Sequence, residues 1–170
     1  MITLLEVDNV SVSFDGFKAV NNLSFTIGYN ELQAIIGPNG AGKTTFMDII
    51  TGQTKPDSGN ILWGEKSTNL IKKNETEIAL LGIGRKFQKP TVFENKSLIE
   101  NLILSQKKNR NPFNVLFQRN SEYDIKNIIK ILKDINLFKI KDKRAGDISH
   151  GQKQWLEIGM LLTQNPKLLL

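Results

Sequence analysis

Gly37, Pro38, Asn39, Gly40, Ala41, Gly42, Lys43 and Thr44 follow one another in this chain, with Thr45 next. The spacing G-x-x-x-x-G-K-T lets successive backbone N–H groups converge on one point, because its glycines put no Cβ in the way. A helix opening near Lys43 aims the positive end of its dipole at that point. Lys43 adds a full positive charge, and the Thr44 hydroxyl suits a magnesium ion. The chemistry is the holding of a nucleoside triphosphate with Mg2+, Lys43 reaching the β/γ-phosphates. At ordinary residue frequencies the pattern arises by chance in roughly one chain of this length in a few hundred.

Such a loop must leave a strand and open a helix, and the flanking residues read that way. Residues 31–36 end in a near-continuous apolar run, which predicts a strand buried on both faces. Residues 44–51 read as a helix with Phe46, Met47, Ile49 and Ile50 inward, and Gly52 lies at its stop. Upstream, residues 2–14 alternate loosely as a strand, Asp15-Gly16 is a turn, and residues 23–27 form a second strand. Downstream come a turn at 55–59, a short strand at 60–63, a short helix at 75–81 ending at Gly82, and an extended segment at 83–88.

From about Pro90 the character changes: Thr91 to Lys143 is rich in Lys, Asn, Ile and Leu and is mostly helical by period, with a loop at 109–114. Ser121 and Asp124 read as a capping pair ahead of Ile125, Ile128, Ile129, Leu132 and Ile135 at helical spacing. A last helix starts at Ser149, has an apolar side formed by Trp155, Leu156, Ile158, Gly159, Leu161 and Leu162, and stops at Asn165-Pro166. Residues 167–170 read as the opening of a buried strand.

Lys and Arg number 23 against 17 Asp and Glu, a formal charge of +6. That balance suits polyanions, an anionic membrane surface or free nucleotide, or simply a solvated lysine-rich surface. The absence of cysteine excludes disulfides, thiolate chemistry and cysteine zinc sites. The first residues do not read as a signal peptide, and no apolar run approaches the ~20 residues that span a bilayer.

Three further segments choose among proteins that carry such a loop. They are Phe14-Asp15-Gly16, Gly84-Arg85-Lys86-Phe87-Gln88 and Ile148-Ser149-His150-Gly151-Gln152. Together they resemble an ATP-binding subunit of an ATP-binding-cassette (ABC) transporter, over the whole chain and about the first two-thirds of such a subunit. The resemblance implies an α/β P-loop NTPase core with N-terminal antiparallel strands and an inserted α-helical subdomain. Residues 1–89 would be the catalytic core, about 90–150 the helical subdomain, and 151–170 the signature helix and the start of the following strand.

It also implies roles. Phe14 stacks on adenine, with Phe17 the competing aromatic. Gln88 touches the magnesium or the attacking water, so Lys43 and Gln88 are the catalytic candidates and Thr44 and Gln88 the metal candidates. Ser149, Gly151 and Gln152 form a clamp that closes on ATP held by a second ATPase subunit. His150 stands where glycine is usual and reads as a substituted clamp residue rather than a catalyst. The runs 82–95 and 149–160 resemble the branched-chain amino acid and urea branch, closest to the urea transporter ATPase.

The implied partners are transmembrane permease subunits, a second ABC ATPase subunit, and indirectly a solute-binding protein, with no nucleic acid. The implied place is peripheral, on the cytoplasmic face of the plasma (inner) membrane. In the family an Asp-Glu pair and a sensor histidine follow the signature helix. The chain is therefore expected to be C-terminally truncated, slow or inactive in hydrolysis alone, and aggregation-prone at unpaired edges. A non-transport ABC ATPase acting on nucleic acid or ribosomes, a non-catalytic nucleotide-binding fragment and a small-molecule kinase are the alternatives.

Overall fold

The computed structural model describes residues 3–86, 91–106 and 122–170. The chain divides into two compact units, Met1–Ile83 and Gly84–Leu170.

The first unit is built on an antiparallel sheet of order β2-β1-β3-β4, with β1 Thr3–Phe14, β2 Phe17–Gly28, β3 Ser58–Trp63 and β4 Thr68–Asn69. β1 and β2 form a long hairpin whose turn is Asp15-Gly16, both with positive φ, so β2 begins earlier than residues 23–27. Strict alternation fails along β1 because the register shifts between Val7 and Val10, where Asn9 takes φ 48. A bulge of this kind lets Val7, Val10 and Val12 all face the core. Burying each such side chain contributes about 1.5–3 kcal/mol. Across the hairpin the Asn22 N–H donates to Ser11 Oγ at 2.9 Å, and Ser11 Oγ donates to Asn22 Oδ1 at 3.0 Å.

Two helices complete this unit, α1 Lys43–Ile50 and α2 Glu75–Leu80. Phe46, Ile49 and Ile50 bury α1 as its spacing predicts, and the Phe46 ring meets Phe25 of β2 edge-on at 5.4 Å. α2 starts in a reciprocal capping box between Asn74 and Glu77.

One expectation is overturned here. Residues 31–36 form no strand, and Leu32 and Ile36 are 97% and 90% exposed. A strand exists only through hydrogen bonds to a neighbour, and no described residue supplies that ladder. The apolar run records a preference for burial, not the neighbour that would satisfy it.

The second unit is mainly helical: α3 Leu98–Ser105, α4 Glu122–Asp134 and α5 His150–Leu162. Leu98 and Leu102 of α3, Ile128, Ile131, Leu132 and Ile135 of α4 and Leu156 of α5 share one core with Ala145 and Ile148. Gly159 lets the helices approach closely, since a Cβ there would lie 2.7 Å from Ile135 Cδ1 and 3.1 Å from Leu102 Cδ2. β5 Ile83–Gly84 pairs with β6 Leu168–Leu169; of the latter, Leu168 is buried and Leu169 exposed. The Ser121 cap and the 109–114 loop lie outside the described residues.

Candidate nucleotide site

In the first unit the loop 37–42 turns into α1 through two glycines with positive φ, Gly40 at 85° and Gly42 at 81°. Gly42 is the N-cap of α1, and no side chain caps that end. The first-turn N–H groups of α1 are therefore left to an external acceptor. Gly42 is glycine for a second reason: a Cβ there would overlap the carbonyl oxygen of Ala19 on β2. The hairpin thus presses on the loop and fixes where it turns.

Lys43 Nζ folds back and donates to the carbonyl oxygens of Gly37 and Pro38, each at 2.7 Å. The Ala41 N–H closes the turn on the Pro38 carbonyl at 3.2 Å. Beside the loop lies a cavity of about 270 Å³ lined by Ala19, Val20, Leu23, Phe25, Ile36, Gly42, Lys43 and Phe46 among others. Its lining is mostly apolar, with Lys43 and Asn21 the polar side chains among it, as in sites that fix a ligand by a few polar contacts.

Phe14 sits at the turn end of the same hairpin, paired with Phe17 across the turn and 48% exposed, so it is not a core residue. Thr44 and Thr45 stand in the first turn of α1. Among the described residues no cluster of three His, Cys, Asp or Glu could hold a metal ion by itself. Thr44 nevertheless fits magnesium, which keeps most of its waters and takes one or two protein oxygens alongside phosphate.

The clamp candidates lie in the second unit. Ser149 is the N-cap of α5, as its place before the helix predicts. The Gln152 N–H donates to Ser149 Oγ at 3.3 Å, and the Ser149 N–H donates to Gln152 Oε1 at 3.0 Å. Gly151 is open on its Cβ side, and His150 Nε2 lies 3.1 Å from Gln154 Nε2. Gln88 lies outside the described residues.

Sequence reasoning passed over Glu157 and Asn101. Asn101 is fully buried; its Oδ1 accepts from Phe93 N–H, and its amide donates to the carbonyls of Phe93, Lys96 and Ser97. Glu157 is 5% exposed and accepts from both the N–H and the hydroxyl of Thr91. The only available signal was a polar residue set between apolar neighbours, Leu156 and Ile158 for Glu157.

A glycine-rich loop pressed on a sheet and opening a helix whose end no side chain caps has the form of a phosphate-binding loop. The ABC transporter family model matches residues 20–170, and the chain belongs to that family. It is 33% identical over 171 residues to the probable branched-chain amino acid transport ATP-binding protein LivG of Methanocaldococcus jannaschii, covering 98% of this chain and 66% of that protein. It is 31% identical to the phosphonates import ATP-binding protein PhnC 2 of Haloarcula marismortui, covering 98% of this chain and 62% of the relative. Among solved structures, the ADP conformation of MJ1267, an ATP-binding cassette of an ABC transporter, matches with TM-score 0.82 at 29% identity. That match covers 99% of this chain and 68% of the other. The fold is that of an ABC ATPase, with antiparallel N-terminal strands and helical elements. The chain spans less than two-thirds of the length of these curated relatives.

Proposed function

We propose that this chain is the ATP-binding part of an importer subunit that couples ATP binding and hydrolysis to solute uptake. The observation that carries the reading is the loop at Gly42, packed on Ala19, with Lys43 poised over it in a chain of the ABC transporter family. Backbone N–H groups of 40–45 and the Lys43 ammonium would take the phosphates. Phe14 would stack on adenine, and Thr44 would hold Mg2+; Gln88, the other expected metal contact, lies outside the described residues. The ion supplies charge neutralisation of the phosphates when bound. Ser149, Gly151 and Gln152 would meet ATP carried by a second ATPase subunit, and His150 would stand beside it as a substituted clamp residue.

The solute belongs to the class of branched-chain amino acids or urea. Relatives named for branched-chain amino acid transport support the first, and the runs 82–95 and 149–160 the second. The partners are permease subunits, reached at the cytoplasmic face of the inner membrane, with a solute-binding protein beyond them. Among the described residues no helix is long and apolar enough to cross a membrane.

Titration of a fluorescent ATP analogue with Mg2+ tests the reading. Lys43→Ala removes a charge-assisted contact of about 1.5–3 kcal/mol, so Kd should rise ten- to a hundredfold. Equal binding by wild type and Lys43→Ala would sink the assignment. Uptake of labelled leucine and labelled urea by cells lacking the gene then separates the solutes.

A further inference from the structure

The long hairpin of the first unit ends in two aromatic rings set on one face. Asp15 and Gly16 form a two-residue turn with φ 49° and 81°, positive at both positions as hairpin turns of type I′ require. The turn closes on Phe14 and Phe17, which stand directly opposite each other, so both side chains leave the same face of the sheet. Val12, two residues back on β1, lies on that face and is paired with Val20. The register runs from Val12 and Val20 to Ser13 and Lys18, which leaves Ala19 as the extra residue of a bulge on β2. Ala19 is the residue whose carbonyl oxygen a Cβ at Gly42 would strike, and Val20 lines the same cavity as Lys43. The two rings therefore extend the wall on which the glycine-rich loop rests. Phe17 lies two residues, about 7 Å, along β2 from that contact.

Both rings are open, Phe14 at 48% and Phe17 at 68% exposure, whereas Val12 and Val20 on the same face are buried. Among the described residues neither ring is engaged by another; the ring contact present is Phe25 on Phe46. Two uncovered rings side by side, continuous with a ligand cavity, make a seat for a flat group that gains by leaving water. We propose that Phe17 is a second base-binding residue, and that Phe14 and Phe17 together seat the nucleobase of the nucleotide whose phosphates the loop holds. The base lies across both rings and is held by its π-face, so each ring carries part of the contact. This rests on the reading of the loop as a nucleotide site given above. It differs from a one-ring seat at Phe14, in which Phe17 would be idle.

Calorimetric titration of the intact protein with ATP and with inorganic tripolyphosphate, both with Mg2+, tests the proposal. Loss of one ring of the pair in Phe17→Ala should raise the ATP Kd about five- to twentyfold. Tripolyphosphate has no base, so its Kd should stay within about twofold of wild type. Phe17→Tyr keeps the ring and should bind ATP as wild type does. Phe17→Leu keeps apolar bulk without a π-face and should bind ATP more weakly than Phe17→Tyr. An ATP Kd unmoved by Phe17→Ala overturns the proposal. A parallel rise for tripolyphosphate also overturns it, since the substitution would then act on the loop through the hairpin and not on the base.

If Phe17→Ala does not fold, the comparison of Phe17→Leu with Phe17→Tyr carries the test, and equal ATP affinity in the two refutes the idea. A loss confined to Phe14→Ala, with every Phe17 variant at wild-type affinity, refutes it as well. Tripolyphosphate binding that ignores Lys43→Ala would bring down the functional reading and this one together. Lys43-dependent binding of ATP that is indifferent to Phe17 removes only this one.

Discussion

Gly42→Ala should destabilise the protein by about 2–5 kcal/mol, whereas Gly40→Ala should cost only about 1–2 kcal/mol. Both glycines have φ above +80°, so each substitution carries the same left-handed penalty of about 1–2 kcal/mol. They differ in what the new methyl group meets. At Gly40 nothing lies within 4 Å. At Gly42 the Cβ falls closer than 3.0 Å to the Ala19 carbonyl oxygen, with Val20 Cγ2 at 3.4 Å. The obstacle is backbone in a paired strand, so either β2 or the loop must move. Overpacking of that kind adds about 1–3 kcal/mol. Urea denaturation of the two variants under identical conditions isolates the contact as the difference between their midpoints. Coincident midpoints, with unchanged slopes, would show that the hairpin does not press on the loop.

Asn101→Leu keeps the volume but removes four hydrogen bonds that hold the backbone of residues 93–97, and should cost about 2–4 kcal/mol by chemical denaturation. Acid should destabilise the fold through its capping carboxylates. Glu77 is held below its ordinary 4.5 by the Lys73 ammonium and then the Asn74 N–H, and Glu31 by the Gly28 N–H and then the Gln33 side chain. A lowered folded-state value means that the unfolded chain binds more protons. Their contribution is present above about pH 4.5 and is lost as pH falls through the folded-state values. Denaturation midpoints should therefore be flat near neutrality and drop below about pH 4.5. Glu77→Gln should lie below wild type near pH 7 and converge on it in acid; a constant gap would refute the linkage.

The loop, its helix and the Ser149 cap were legible because each depends on residues close in sequence: a spacing of glycines, a lysine, a serine three places before Gln152. The hairpin turn at Asp15-Gly16 was legible for the same reason. Residues 31–36 were not, because a strand is made by its neighbours and hydrophobicity alone does not name them. The extent of β2 was missed since Lys18, Asn21 and Asn22 are poor strand formers held by pairing to β1. Glu157 and Asn101 are local oddities whose partners lie 66 and up to 8 residues away, and no periodicity marks such contacts.

Lys43 already has two acceptors, the carbonyl oxygens of Gly37 and Pro38. An ammonium has three N–H donors, so these bonds aim the side chain over the loop and leave a third donor for an incoming ligand. A charged oxygen makes a stronger bond to that donor than a neutral hydroxyl does. The loop therefore holds its cation in place before any ligand arrives, and a phosphate gains from it what an unphosphorylated nucleoside, however well its ring is stacked, does not.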